Sequence, residues 1–171
     1  MDLRKTIREI NDFPKQGILF RDITTVLKDP NALSYAVDGL VELAQGFGFD
    51  AVLGPESRGF IFGVPVALRL GKGFVPIRKD GKLPAKTRRK EYALEYGNAT
   101  IEIHEDAITP GASYVIVDDL LATGGTAKAS SELVAEMGGI VACHVFFIEL
   151  AGLGGRDALK GQEVRSLVVY N

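Results

Sequence analysis

The chain has 171 residues, of which 46% are hydrophobic and 25% are charged, and this ordinary composition for a globular protein excludes a disordered chain or a coiled coil. No apolar run approaches the roughly 20 residues of a membrane-spanning helix, and the charged first ten residues do not resemble a secretory signal. We therefore expect a cytoplasmic protein with no membrane partner. The single cysteine, Cys143, excludes an intramolecular disulfide, and its apolar neighbours in the sequence indicate a core position.

The net charge of −2 conceals an uneven distribution of charged residues. The 13 residues from Arg78 to Lys90 contain seven basic residues and one acidic residue, so this block carries +6 and the rest of the chain carries −8. Such a block suits a surface that binds phosphate groups, either those of a nucleic acid or those of a small anionic substrate.

Hydrophobic spacing and glycine or proline boundaries predict alternating helices and strands. In chain order these are a helix at 31–47, a strand at 51–53, a helix at 60–70 with a break or kink at Pro65, and a strand at 73–77. A half-exposed hairpin follows, formed by strands at 92–95 and 100–104. The remaining elements are a strand at 114–117, a helix at 126–137, a strand at 140–150, a glycine-rich turn at 151–160 and a strand at 164–170. This alternation predicts a single α/β domain with a mostly parallel central sheet flanked by helices.

The segment 115–127, VIVDDLLATGGTA, combines a buried strand, two adjacent acids, a turn of small residues and the start of a helix. The turn offers backbone N–H groups, the helix start adds a partial positive charge, and Thr123 and Thr126 add hydroxyls, so the turn suits a phosphate monoester. Asp118 and Asp119 would repel a bare phosphate, and we expect them to face sugar hydroxyls or a divalent cation. A phosphate beside a diol describes ribose 5-phosphate.

Any one of the residues in this segment can merely shape a turn, and only their ordered combination indicates a ligand. The sequence has neither G-x-x-x-x-G-K-[ST] nor G-x-G-x-x-G, so neither a P-loop nucleotidase nor a dinucleotide dehydrogenase is supported. His104 and His144 lack metal-ligand spacing, and we expect both to be structural.

The segment 115–127 resembles the phosphoribosyl-pyrophosphate signature of the type I phosphoribosyltransferases. Four further stretches, FRDI at 20–23, SRGF at 57–60, IRKDGKLP at 77–84 and LEYG at 94–97, are similar to the adenine-specific branch of that family. The resemblance covers nearly the whole chain, from about residue 6 to residue 169. It implies one type I phosphoribosyltransferase domain over 1–171, with a small hood and a flexible flap at about 79–98.

The resemblance also implies a reaction: adenine and 5-phospho-α-D-ribose 1-diphosphate give AMP and diphosphate in purine salvage, with Mg²⁺. It implies a homodimer that acts on small-molecule substrates. Mg²⁺ would be held by the substrate, with no direct protein ligand, and Asp118 and Asp119 would reach the ribose hydroxyls either directly or through water and the metal. The residues implied to bind the phosphoribosyl diphosphate are Asp118, Asp119, Ala122, Thr123, Gly124, Gly125, Thr126, Ser57, Arg58, Arg78, Lys79 and Lys82. Some of the basic ones reach across the dimer interface in relatives, and a cis peptide between Glu56 and Ser57 is common there.

For the base, the resemblance implies stacking between Phe20 and Leu150, with backbone groups of Leu19 and Arg21 recognising the adenine edge. Glu95 would be the catalytic acid/base on the flap, followed by Tyr96 in the hood. The adjoining bases, Arg88, Arg89 and Lys90, are expected on a solvated loop face.

Two rival functions were compared with this one. A phosphoribosyltransferase for another base is disfavoured by Ala122, where oxopurine enzymes commonly carry an acid/base aspartate. A phosphoribosyl-pyrophosphate-sensing regulator that contacts nucleic acid is disfavoured by Glu95, because a sensor needs no acid on a closing flap. We therefore expect no nucleic-acid partner.

Overall fold

A seven-stranded sheet forms the centre of the computed structural model, which describes residues 1–94 and 97–171. The strands are β1 Arg8–Ile10, β2 Phe20–Asp22, β3 Ala51–Pro55, β4 Gly73–Lys79, β5 Thr87–Ala93, β6 Asn98–His104, β7 Ser113–Leu121, β8 Ile140–Leu150 and β9 Val164–Tyr170. The helices are α1 Thr24–Leu27, α2 Pro30–Gln45, α3 Arg58–Arg69, α4 Gly125–Glu136 and α5 Gly155–Ala158, with short 3₁₀ turns at Leu3–Lys5 and Ala151–Leu153.

The central sheet has the order β5-β6-β4-β3-β7-β8-β9, and the five strands from β4 to β9 pair in parallel. Strands β5 and β6 form an antiparallel hairpin (the β5–β6 hairpin) that joins the edge of β4. Strands β1 and β2 make a separate two-stranded sheet. The predicted α/β class with a mostly parallel sheet is confirmed.

The central strands are apolar because helices cover both faces of the sheet. In β8, every residue from Cys143 to Glu149 is buried. Helix α2 begins where expected, since Asp29 accepts a hydrogen bond from the N–H of Asn31 at 2.9 Å and Pro30 occupies the first turn. Helix α3 runs continuously through Pro65, although the sequence suggested a break or kink there.

Two of the sequence-predicted strand limits differ from the structure by four residues or more. Strand β7 extends past the predicted end at 117, because Asp118 and Leu120 continue the parallel ladder with Phe146 and Ile148 of β8. Strand β5 begins at Thr87 rather than at 92, so the bases at 88–90 lie in a strand and not in a solvated loop. These three bases are held by acidic partners, with Arg88 beside Glu105, Arg89 beside Asp80 and Glu102, and Lys90 beside Glu132 and Glu136.

Cys143 and His144 are fully buried, as their sequence context indicated. Burial raises the pKa of the Cys143 thiol to about 11, so it remains protonated. His144 Nε2 lies 2.7 Å from the Ser131 hydroxyl and 2.8 Å from the Gln162 side-chain oxygen, and burial lowers its pKa to about 4. Both are structural residues. None of the helices described is long and apolar enough to cross a membrane.

Candidate active site

A cavity of about 720 Å³ opens at the carboxyl edge of the sheet, where β3 and β7 end and α4 begins. Ligands of open α/β sheets bind at this edge. The described residues that line it are Glu56, Ser57, Arg58, Lys79, Ala93, Leu94, Asp118, Asp119, Leu120, Leu121, Ala122, Thr123, Gly124, Gly125, Thr126, Ala127 and Phe146. The structure therefore brings the acid pair and the whole predicted phosphate turn together in one cavity.

The phosphate turn (Ala122–Thr126) owes its shape to Gly124, which has φ +82° at the cap of α4. A Cβ at this position would lie 2.7 Å from the carbonyl oxygen of Gly155 and 2.9 Å from the Cβ of Ala158. Helix α5 thus packs directly against the back of the turn, and only glycine fits between them. The first residues of α4, Gly125–Ala127, line the cavity, so the positive end of the helix dipole lies at this site and favours an anion.

The acid pair is held in place by one arginine and by its own backbone. Arg58 Nε lies 2.8 Å from Asp119 Oδ2, and the N–H of Asp119 donates to Asp118 Oδ1 at 2.8 Å. Loss of hydration raises the pKa of Asp118 well above its usual range, and the charge of Asp119 adds to this. Burial raises the pKa of Asp119 as well, while the Arg58 guanidinium opposes that rise. Gly59 makes room for the pair, since a Cβ there would lie 3.0 Å from Asp118 Oδ1.

We expect Arg58→Gln to move the ionisation of the acid pair to higher pH, because it removes the cation that favours the charged form of Asp119. The affinity for ribose 5-phosphate with Mg²⁺ should rise with pH as the pair ionises, and in the variant this rise should occur at higher pH. Calorimetric titrations of both proteins across pH 5–9 measure the shift, and the titration of the ligand's own phosphate cancels in the comparison. Superimposable pH profiles would contradict the assigned role of Arg58.

The residues predicted to bind diphosphate divide into two groups. Ser57, Arg58 and Lys79 line the cavity, and the peptide bond between Glu56 and Ser57 is cis, as the resemblance implied. Arg78 instead lines a neighbouring cavity of about 530 Å³, and Lys82 lines neither of the two.

The guanidinium of Arg78 is already engaged within the chain. Its Nε lies 3.1 Å from Glu56 Oε2, and its Nη1 donates to the carbonyl oxygen of Lys82 at 3.1 Å. Glu56 also accepts from the N–H of Lys79 at 3.1 Å, and these contacts hold the pKa of Glu56 below its usual value despite its partial burial. Arg78 therefore ties the 56–59 loop to the end of β4.

The described residues that line this cavity do not include the four predicted to bind adenine, Leu19, Phe20, Arg21 and Leu150. Phe20 and Arg21 belong to β2 of the small N-terminal sheet, Leu19 directly precedes that strand, and Leu150 ends β8. The Arg21 guanidinium stacks over the ring of Tyr170, with its Cζ 3.9 Å from the ring centroid. Adenine binding by these residues stays a prediction.

Two further predicted residues, Glu95 and Tyr96, lie outside the described residues. Sequence reasoning did not identify two other residues near the site, Phe146 and Tyr92, and it identified Glu56 only as a member of the 56–59 loop. The Tyr92 hydroxyl lies 3.0 Å from Thr126 Oγ1, 34 residues further along the chain. The only sequence signal for Tyr92 is its place in an alternating strand, which does not indicate its partner.

Three comparisons place the chain among known proteins. A family model described as "Phosphoribosyl transferase domain" matches residues 26–166. An adenine phosphoribosyltransferase of Alkaliphilus oremlandii is 56% identical over 170 residues, covering 99% of each chain. The crystal structure of an adenine phosphoribosyltransferase from Thermoanaerobacter pseudethanolicus is 53% identical with a TM-score of 0.96, covering 99% of this chain and 98% of the other. The Saccharomyces cerevisiae enzyme, whose crystal structure contains an imino-altritol bisphosphate and adenine, is 39% identical with a TM-score of 0.89. The match covers 95% of this chain and 94% of the yeast chain.

Proposed function

The chain belongs to the phosphoribosyltransferase family, and on that premise we propose that it transfers the phosphoribosyl group of 5-phospho-α-D-ribose 1-diphosphate to adenine, releasing AMP and diphosphate. This reaction makes it a pentosyltransferase of purine salvage. The observation that carries the proposal is the joining of the acid pair, the phosphate turn and the start of α4 in one cavity at the carboxyl edge of the sheet.

The phosphate turn holds the 5-phosphate through its backbone N–H groups and the hydroxyls of Thr123 and Thr126. Asp118 and Asp119 accept hydrogen bonds from the ribose hydroxyls beside it. During transfer, adenine N9 forms a bond to ribose C1 while the bond from C1 to the diphosphate oxygen breaks, and C1 carries positive charge in between. The negative charge of the acid pair stabilises that charge in a site partly removed from water.

The described residues fit a divalent cation that is bound mainly through the substrate. The acid pair supplies hard oxygen donors of the kind Mg²⁺ prefers. Within residues 1–94 and 97–171, no group of three or more His, Cys, Asp or Glu side chains could by itself hold a metal ion. When bound, Mg²⁺ neutralises the charge of the departing diphosphate. Ser57, Arg58 and Lys79 contact the same diphosphate from the 56–59 loop and β4.

For the base, we retain the assignments that the family resemblance implies. Adenine stacks between Phe20 and Leu150, backbone groups of Leu19 and Arg21 recognise its edge, and Glu95 exchanges a proton with it while Tyr96 covers the site. The same proposal includes a homodimer in which Arg78 or Lys82 contacts the substrate in the neighbouring subunit's site. It also includes a cytoplasmic location.

The ion pairs of the basic block favour this proposal over a nucleic-acid-binding function. Within the described chain, Arg88, Arg89 and Lys90 each have an acidic side chain within 3.4 Å. These three bases are therefore partly neutralised by acidic neighbours, which makes them a poorer surface for the phosphates of a nucleic acid.

The proposal is tested by incubating the purified protein with adenine, phosphoribosyl diphosphate and Mg²⁺. AMP and diphosphate should appear in equal amounts, and excess EDTA should abolish both products while added Mg²⁺ restores them. Absence of AMP under these conditions would refute the proposed reaction, and undiminished turnover in EDTA would refute the role of the cation.

A further inference from the structure

The β5–β6 hairpin is docked along the length of α4, from the phosphate turn at the start of the helix to its last residue, Glu136. At one point of contact, the Tyr92 hydroxyl of β5 lies 3.0 Å from Thr126 Oγ1 of α4. At a second point, Lys90 Nζ lies 3.1 Å from Glu132 Oε2 and also pairs with Glu136. The hairpin also lies close to the main chain of α4, since a Cβ on Gly125 would be 3.6 Å from the Tyr92 ring.

These two contacts differ in their relation to the ligand. Glu132 and Glu136 lie two and three turns into α4, and neither lines the cavity. The ion pairs of Lys90 with these two residues therefore hold the hairpin on α4 whether or not a ligand is bound. Thr126 lines the cavity and belongs to the phosphate turn. The contact between Tyr92 and Thr126 is therefore the one at which the hairpin meets a group that a bound phosphate would also contact.

The chemistry of two hydroxyls makes this contact depend on the ligand. Thr126 has one proton to donate and lone pairs to accept with. With the turn empty, either hydroxyl can donate to the other. A phosphate dianion has only acceptor oxygens, so when it takes the Thr126 proton, Tyr92 must be the donor to Thr126. The two hydrogen bonds then point the same way along a chain and strengthen each other.

We propose that Tyr92 is a positioning residue that couples occupation of the phosphate turn to the position of the β5–β6 hairpin, acting through the Thr126 hydroxyl. The inference rests on the proposed function in placing the 5-phosphate at this turn. The hairpin carries Ala93 and Leu94 into the cavity wall, immediately before Glu95 in the sequence. Phosphate binding thereby fixes the position of β5, the strand that precedes the proposed acid/base residue in the sequence.

The test is hydrogen exchange of residues 87–94 and 97–104, measured with and without saturating ribose 5-phosphate. Exchange in the hairpin should slow on ligand binding in the wild type, and Tyr92→Phe should lose most of that response. Tyr35→Phe is the matched control, because Tyr35 lies exposed on α2 and should keep the full response. If Tyr92 had a purely structural role, Tyr92→Phe would speed hydrogen exchange in the hairpin equally with and without ligand, and ligand binding would still slow that exchange.

Affinity gives the second measurement. The dissociation constant for ribose 5-phosphate should rise about three- to tenfold in Tyr92→Phe, as expected for one hydrogen bond in a charged network. In a Thr126→Val background, adding Tyr92→Phe should cause no further rise, because the partner is already gone. An unchanged response and affinity in Tyr92→Phe, or an equal loss in both backgrounds, would overturn the inference. A wild type that binds ribose 5-phosphate and slows hairpin exchange but forms no AMP would refute the proposed function and leave this inference standing.

Discussion

Replacing Glu95 with glutamine is expected to lower kcat for AMP formation by about 10²- to 10⁴-fold, the usual contribution of a general acid or base. Adenine bound with its ring proton on N7 must lose that proton as N9 bonds to C1; the Glu95 carboxylate accepts it, and the amide of glutamine cannot. The affinity for phosphoribosyl diphosphate should change less than about twofold, because the phosphate turn and the acid pair, which bind that substrate, are untouched. Single-turnover kinetics and calorimetry separate the two quantities.

Glu91→Gln is the matched control for this prediction. Glu91 is an exposed acid of β5, four residues before Glu95 in the sequence, and it accepts a hydrogen bond from the Asn98 side chain at 2.7 Å. It should retain wild-type kcat. Near-normal turnover in Glu95→Gln would contradict the catalytic role assigned to Glu95. An equal loss of kcat in both variants would mean that removing any negative charge from this part of the chain lowers turnover, and that Glu95 has no specific role.

Replacing Gly124 with alanine is expected to weaken binding of phosphoribosyl diphosphate at least tenfold and to lower the free energy of unfolding by about 2–4 kcal/mol. The positive φ disfavours any side chain, and the new Cβ would press against the main chain of α5, 2.7 Å from the Gly155 carbonyl oxygen. The turn and α5 must then separate, which moves the N–H groups that hold the phosphate. Calorimetry and urea unfolding measure the two effects.

Gly111→Ala isolates the contribution of the backbone conformation. Gly111 has φ +81°, almost the same as Gly124, but a Cβ there would meet nothing within 4 Å. This variant should lose about 1 kcal/mol of stability and keep full affinity for the substrate. If Gly124→Ala binds the substrate as tightly as Gly111→Ala does, the packing of α5 against the turn does not shape the phosphate site.

The parts of the fold predicted best from sequence are those in which a short run of consecutive residues shows a single hydrophobicity or turn pattern. Strands β8 and β9 have the predicted limits, 140–150 and 164–170, because each is an apolar run with a clear boundary. The phosphate turn was also predictable, since its glycines, hydroxyls and helix start are consecutive in the chain. The α/β class followed from the alternation of such segments.

The parts predicted poorly depend on contacts between distant residues. Asp118 resembles a loop residue, but its backbone continues the ladder with Phe146 of β8. The bases at 88–90 resemble a solvated loop, but acidic side chains from β6, α4 and neighbouring turns compensate them in a strand. The bond between Tyr92 and Thr126 and the engagement of Arg78 by Glu56 likewise depend on the folded arrangement, which no local pattern encodes.

The central claim is that this site joins a phosphoribosyl group to adenine in preference to other bases. Its most direct test is to measure kcat/KM for adenine, hypoxanthine, guanine and xanthine in parallel, each with saturating phosphoribosyl diphosphate and Mg²⁺. We expect efficient conversion of adenine alone, with kcat/KM for the other three bases lower by at least about 10³-fold. A site whose polar groups hydrogen-bond to the edge of adenine leaves some of those buried groups unpaired when a different base binds. Conversion of hypoxanthine or guanine as efficient as that of adenine would contradict the account.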